Sequence, residues 1–112
     1  MASIRQEKVA SLIKRDVGEI MQQNGTQYLP GKMITVTIVR MSPDLSFAKI
    51  YVSIFPTDDP KQDLEKLKSH GSEIRGLLGK RVKNQLRIVP ELGFYLDDSL
   101  DYAERIDDLL ND

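Results

Sequence analysis

The chain of 112 residues contains no cysteine and a single histidine, His70. The first absence removes disulfide bridges, thiol nucleophiles and cysteine-ligated zinc. The second leaves a hydrolytic triad only one base. Its serine neighbours, Ser69 and Ser72, stand at positions that do not face it across a helix turn. Apolar runs fall far short of the roughly 18 residues that cross a bilayer, and the opening Met-Ala-Ser-Ile-Arg-Gln-Glu-Lys has no signal-peptide apolar region, so a cytoplasmic protein with no membrane partner is expected. No internal repeat, low-complexity tract or long linker divides the chain. One domain follows, able to bury roughly two thirds of its unfolded surface without metal or disulfide staples.

Charge is not short, but it is unevenly placed. Residues 1–90 hold 15 Lys/Arg against 9 Asp/Glu, a net of +6, whereas residues 91–112 hold Arg105 against eight acids, a net of -7. A basic body with an acidic end suits nucleic-acid binding by the body and shielding by the tail; an ordinary solvated charge distribution is the plainer account.

Hydrophobic periodicity supplies the elements. Ser3 with Gln6 forms a capping box ahead of a stripe of Val9, Leu12, Ile13, Val17, Ile20 and Met21, which predicts an amphipathic helix of about six turns stopped at Asn24-Gly25. Residues 33–41 and 47–55 alternate and are rich in β-branched and aromatic residues, which predicts two antiparallel strands joined by the Ser42-Pro43-Asp44-Leu45-Ser46 turn. Ile34, Val36 and Ile38 share one face of the first strand, and Ala48, Ile50, Val52 and Ile54 one face of the second. Asp59-Pro60 starts a second helix.

From Ser69 to Leu92 the pattern changes twice. Leu64, Leu67, Ile74, Leu77, Leu78 and Val82 continue one apolar helical face, but Gly71 interrupts it. A kink or two-helix junction at Ser69-His70-Gly71 explains the glycine. Lys80, Arg81 and Lys83 load the last turn with positive charge, which suits the negative end of a helix dipole. Leu86–Val89 reads as the start of a third strand, continued by Phe94-Tyr95-Leu96. Pro90 cannot donate to a ladder, so that strand belongs at an edge or carries a bulge. Asp97-Asp98-Ser99 caps a short acidic helix whose apolar residues are Leu100, Ala103, Ile106, Leu109 and Leu110.

The economical packing is an α+β fold in the order α-β-β-α-α-β, a three-stranded sheet with helices on one face, followed by a short C-terminal helix. The same order describes the type II K-homology (KH) fold, although order alone carries no function.

Four stretches go further: Arg5-Gln6-Glu7-Lys8-Val9; Met41-Ser42-Pro43-Asp44-Leu45-Ser46-Phe47-Ala48-Lys49-Ile50-Tyr51-Val52; Ile74-Arg75-Gly76-Leu77-Leu78-Gly79-Lys80; and Leu86-Arg87-Ile88-Val89-Pro90-Glu91-Leu92, with Asp98-Ser99-Leu100 beyond them. In order and spacing the chain resembles the ribosome-binding factor A family over nearly its whole length. The resemblance implies a type II KH-like fold, with an Ala-x-Gly helix kink in place of the Gly-x-x-Gly loop; Ser69-His70-Gly71 stands there, with serine for alanine. It divides the chain into a KH-like RNA-binding domain, 1–97, and an acidic C-terminal helical extension, 98–112. It implies a non-catalytic factor that binds immature small (30S) subunits and 16S rRNA near the 5′ end, assists late maturation and rRNA processing, and serves growth in the cold. Arg81-Val82-Lys83-Asn84-Gln85 is about two residues longer than the family's usual connection. The literal Gly76-Leu77-Leu78-Gly79 is not the RNA loop, because its middle residues belong to an apolar helix face.

A surface of Arg5, Lys8, Lys49, Lys68, Arg75, Lys80, Arg81, Lys83 and Arg87, gathered about the kink and the adjoining helix end, is the candidate RNA contact. Phosphate contacts by such residues supply affinity without reading sequence. For each of them a solvated surface charge is the alternative. His70 is either a base-stacking group or a polar junction residue, and Tyr51 and Tyr95 are either stacking or packing groups. A phosphate loop fails because Gly79-Lys80 is followed by Arg81 and preceded at the required spacing by Ile74. Asp58-Asp59, Asp97-Asp98 and Asp107-Asp108 resemble helix starts and solvated faces more than metal sites, so no metal or cofactor is expected. The chain is read as a monomer. The competing reading is a KH-like protein-interaction module that docks through its C-terminal apolar stripe.

Overall fold

The computed structural model describes residues 3–97. Helix α1 (Ile4–Tyr28) is followed by β1 (Met33–Met41), β2 (Phe47–Phe55), α2 (Pro60–Lys68), α3 (Gly71–Val82) and β3 (Glu91–Leu96). The sheet runs β1-β2-β3, antiparallel in its first pair and parallel in its second. A parallel neighbour needs a crossover, which α2 and α3 provide. This is the α+β order expected. The acidic helix expected over 98–112 lies outside the described residues.

Alternation decides what each strand buries. Ala48, Ile50, Val52 and Ile54 of β2 point at the helices and are buried, as are Ile34, Val36, Val39 and Met41 of β1 and Phe94 of β3. From the helical side they meet Ile13, Val17, Ile20 and Met21 of α1, Leu67 of α2, and Ile74, Leu78 and Val82 of α3. The helices therefore cover one face of the sheet, and none of the described residues covers the other.

The structure corrects three expectations. Ile38 does not share the face of Ile34 and Val36, because the β1–β2 register shifts between Val36 and Ile38. Thr37 is the extra residue of a β-bulge, its hydroxyl 3.3 Å from the Tyr51 carbonyl. The slip turns Val39 and Met41 inward and leaves Ile38 opposite Tyr51. Helix α1 runs past Asn24-Gly25 to Tyr28, about seven turns. Gly25 is buried against Ile34, and burial of Tyr28 and Leu29 favours one more turn over the local stop. The third strand starts at Glu91 rather than Leu86, its first bond running from the Glu91 N–H to the Ser46 carbonyl at 2.9 Å. Pro90 is buried immediately before it, and β3 is an edge strand as expected.

Side chains hold the connections. Gln6 closes the capping box with Ser3 and also donates to the Met41 carbonyl at 3.1 Å, tying the start of α1 to the end of β1. Asp63, in the first turn of α2, pairs with Lys32 and accepts from the Thr57 hydroxyl. Those two partners hold its carboxyl below the ordinary value of 3.8, the hydrogen bond from Lys32 contributing most and that from Thr57 next. A depressed folded pKa means that this stabilisation is complete above the unfolded pKa and is lost as pH falls through the folded one. Thermal unfolding from pH 7 to pH 2 is expected to show Asp63→Asn less stable than wild type at neutrality, with the gap closing below about pH 4. A gap that stays constant would show that the carboxylate charge is not the stabilising element.

Candidate nucleic-acid interface

The helix break lies at the predicted place. Helix α2 ends at Lys68 and α3 begins at Gly71. Ser69 turns its hydroxyl back to the Lys66 carbonyl at 2.6 Å, and the Ile74 N–H bonds to the His70 carbonyl to open α3. His70 is partly packed, its side chain 32% exposed: its ring lies 4.8 Å from that of Tyr28, and its Nδ1 lies 3.5 Å from Glu73. The last turn of α1 thus braces the junction. Burial pushes the Tyr28 phenol above its ordinary pKa, with the Glu73 charge adding to the effect.

Gly71 is not there for its backbone. Among the described residues only Gly31 and Leu45 have positive φ. A methyl at position 71 would meet the Phe94 ring at 4.0 Å, ordinary contact. What the glycine leaves is space: Lys68, Gly71 and the β3 residues Leu92, Gly93, Phe94 and Tyr95 line a groove of about 270 Å³ between the junction and the sheet edge. We therefore expect Gly71→Ala to keep full stability or to add up to about 1 kcal/mol by helix propensity. Gly71→Leu is expected to fill the groove and weaken whatever occupies it. Thermal unfolding checks the first, and loss of more than about 1 kcal/mol on Gly71→Ala would restore the kink as the reason for the glycine.

The nine candidate cations do not form one cluster. Lys68 lines the junction groove and makes an exposed pair with Glu65 at 3.2 Å, worth little and readily exchanged. Arg5 and Arg87 meet elsewhere, in a second cleft of about 270 Å³ between the start of α1, the β1–β2 turn and residues 85–88, with Ile88 72% exposed at its rim. Lys80 and Lys83, at the end of α3, and Lys8, on α1, are exposed and have no ion-pair or hydrogen-bond partner among the described residues. Lys49 lies on the open face of the sheet, its ammonium 5.9 Å from the centre of the Tyr95 ring.

Two arginines are tied to the fold by their own bonds, Arg75 while still exposed and Arg81 half-buried. Arg75 donates from Nε to the Pro90 carbonyl at 3.0 Å and from Nη2 to the Val89 carbonyl at 2.7 Å, fastening the segment before β3 onto α3. Arg81 reaches from α3 to α1, where it pairs with Glu19, lies 3.4 Å from Asp16 and donates to Gln23. The Glu19 hydrogen bond leads the causes that hold its pKa above the ordinary value. Gly76-Leu77-Leu78-Gly79 lies inside α3 with Leu78 buried, so its amides serve the helix. Among the described residues no cluster of three or more acidic or histidine side chains is placed to hold a metal, and no helix is long and apolar enough to cross a membrane.

Gly93 and Tyr95 lie in the groove wall, and Arg40 stands opposite Lys49 on the open face; the sequence marked Tyr95 as a stacking or packing group, but not Gly93 or Arg40. The period of two around buried Phe94 was the signal that places the first pair on the outer face.

The fold is shared with known proteins. The family model described as Ribosome-binding factor A matches residues 5–110. The Ribosome-binding factor A of Cytophaga hutchinsonii is 46% identical over 111 residues, covering 99% of this chain and 84% of that one. The crystal structure of ribosome-binding factor A from Thermus thermophilus superposes with a TM-score of 0.68 at 26% identity, covering 81% of this chain and 94% of that one. A homology model of the Thermus thermophilus factor, fitted into a cryo-electron-microscopy map of its complex with 30S, gives 0.64 at 27% identity, covering 80% and 91%.

Proposed function

The chain belongs to the ribosome-binding factor A family, and from that premise we propose that it is a non-catalytic RNA-binding factor of the small ribosomal subunit. The observation that carries the reading is the likeness to a factor fitted on 30S, in a chain whose exposed cations flank two open clefts. Residues 3–97 hold the whole described core in the α-β-β-α-α-β order, which supports taking 1–97 as one KH-like RNA-binding domain and 98–112 as an acidic extension.

Binding chemistry suits the available groups. Lys8, Lys68, Lys80 and Lys83 offer point charges to phosphates, and Arg5 with Arg87 offers two planar forks in one cleft. Arg75, exposed but bonded to two backbone carbonyls, and Arg81, paired with α1, support the surface and are secondary contacts. Structured ribosomal RNA is recognised mostly by backbone and shape, which needs no reading of bases by this set.

The finer reading is preference for immature particles, with assistance to late 16S rRNA maturation and processing near the 5′ end and to growth in the cold, by a cytoplasmic monomer. Sedimentation of the full chain with immature and mature small subunits, at low and moderate salt, tests it. Salt-sensitive binding favouring immature particles is the expected result. No association with either particle, from a folded protein, would overturn the reading and bring forward docking through the C-terminal apolar stripe.

A further inference from the structure

The sheet face turned away from the helices has no cover among the described residues. Pairing of Phe47 with Glu91, Lys49 with Gly93 and Tyr51 with Tyr95 puts the outward residues of β2 and β3 side by side, and Arg40 of β1 stands opposite Lys49. A face left to water ordinarily carries Thr, Ser, Lys and Glu. Beside Thr35, Ser53 and Lys49 this one carries four aromatic rings: Phe47, Tyr51 and Tyr95 together, and Phe55, 73% exposed, at the far end of β2.

Their arrangement is specific. A β-carbon at position 93 would lie 2.6 Å from Cζ of Phe47, so the Phe47 ring occupies the space above Gly93 and lies down across β3. The rings of Tyr51 and Tyr95 are 5.7 Å apart and inclined by 34°, and Tyr95 remains 39% exposed. Lys49 holds its ammonium beside the Tyr95 ring, and Arg40 adds a second exposed cation. Glu91, at one end, is the only acid these three strands turn outward.

We propose that this open face is a stacking platform for unpaired RNA bases, with Phe47, Tyr51 and Tyr95 as the stacking rings and Lys49 and Arg40 as the phosphate contacts. Aromatic planes interleaved with cations match single-stranded nucleic acid, in which each base offers a π-face and each linkage a negative charge. An aliphatic partner surface would satisfy neither feature. Position supports the same ligand: Gly93 and Tyr95 also line the junction groove that holds Lys68. A strand lying in that groove passes over the β3 edge onto the rings. The proposal rests on the RNA-binding reading above and adds to it a site for unpaired bases that the backbone contacts do not require.

The chain has no tryptophan, so the full-length Tyr95→Trp protein carries one indole reporter on the platform. Titration with oligouridylate and oligoadenylate is expected to quench its fluorescence saturably, while duplex RNA of equal length quenches it far less. In that background Phe47→Leu and Tyr51→Leu are each expected to weaken oligonucleotide binding about fivefold or more without lowering the unfolding temperature. The reporter protein tests the proposal even where a leucine variant fails to fold. An unresponsive indole, in a protein that still sediments with small subunits, overturns the platform and leaves the subunit-binding reading intact. Quenching by oligonucleotide without subunit binding supports the platform and removes the subunit-binding reading. An indole already blue-shifted before RNA is added, and unmoved by it, gives the face to the chain's own acidic end and overturns the proposal.

Discussion

Arg81→Met lowers the stability of the chain by about 2–3 kcal/mol, although Arg81 lies in the most basic helix turn of the sequence. The reason is Asp16, whose side chain is 6% exposed between α1 and α3. Arg81 approaches it at 3.4 Å and joins it to Glu19 and Gln23 on the same helix. Removing one partner of a fully buried pair costs about 3–5 kcal/mol, because the remaining charge is stranded in low dielectric. Here the cost is reduced, since Arg15 stays within 3.5 Å of Asp16 and Arg81 is itself 28% exposed. For a domain of this size the loss corresponds to roughly 10–20 °C in the unfolding midpoint. The double variant Asp16→Leu/Arg81→Met is expected to recover part of it, because no buried charge is left behind, Glu19 being 47% exposed, and apolar volume replaces the carboxylate. A change below about 0.5 kcal/mol for Arg81→Met, the range of an ordinary surface substitution, would show that Asp16 is satisfied without it.

That arginine marks where the sequence stopped being legible. Counting charges along α3 finds Lys80, Arg81 and Lys83 equally, but the partner of Arg81 lies 65 residues away. Only the packing of α1 on α3 separates the clamp from its free neighbours. Arg75 is the same case, since its carbonyl partners belong to a segment with no regular structure of its own. Where local rules act alone, the reading held: β1 and β2 have the expected bounds because period-two alternation is a property of the chain itself. The capping box of α1, the proline start of α2 and the helix junction are equally local. The bulge escaped because Ile38 and Val39 are both apolar, so either register reads as a strand and cross-strand packing makes the choice. The end of α1 escaped because Asn24-Gly25 is a fair stop that burial of Tyr28 and Leu29 outweighs. Val89 misled for the opposite reason: the stretch looks like a strand, yet its carbonyl bonds to Arg75 rather than to a ladder. In the site, residue types were visible and their grouping was not.

Changing Lys68, Lys80 and Lys83 together to Gln is the cleanest test of the basic surface, because all three are exposed and none supports the core. Surface substitutions of this kind move stability by no more than about 0.5 kcal/mol each, so a binding defect is not a folding defect. Adding Arg81 to the set would confound the two. Each phosphate contact contributes about 0.7–0.9 to the slope of log affinity against log salt, so the triple variant is expected to flatten that slope by about 2–3. Between 50 and 200 mM salt such a change amounts to roughly 30-fold, so the deficit relative to wild type is large in dilute salt and shrinks as salt rises. Co-sedimentation or fluorescence titration with small subunits at several salt concentrations reads both quantities. A slope change near one would assign a single contact to the three lysines and shift the search to Arg5 and Arg87 in the second cleft. An unchanged slope and affinity would remove the end of α3 from the interface altogether. A loss of affinity that salt does not diminish would mean that the lysines act through something other than phosphate charge, and the electrostatic account of this surface would then fail.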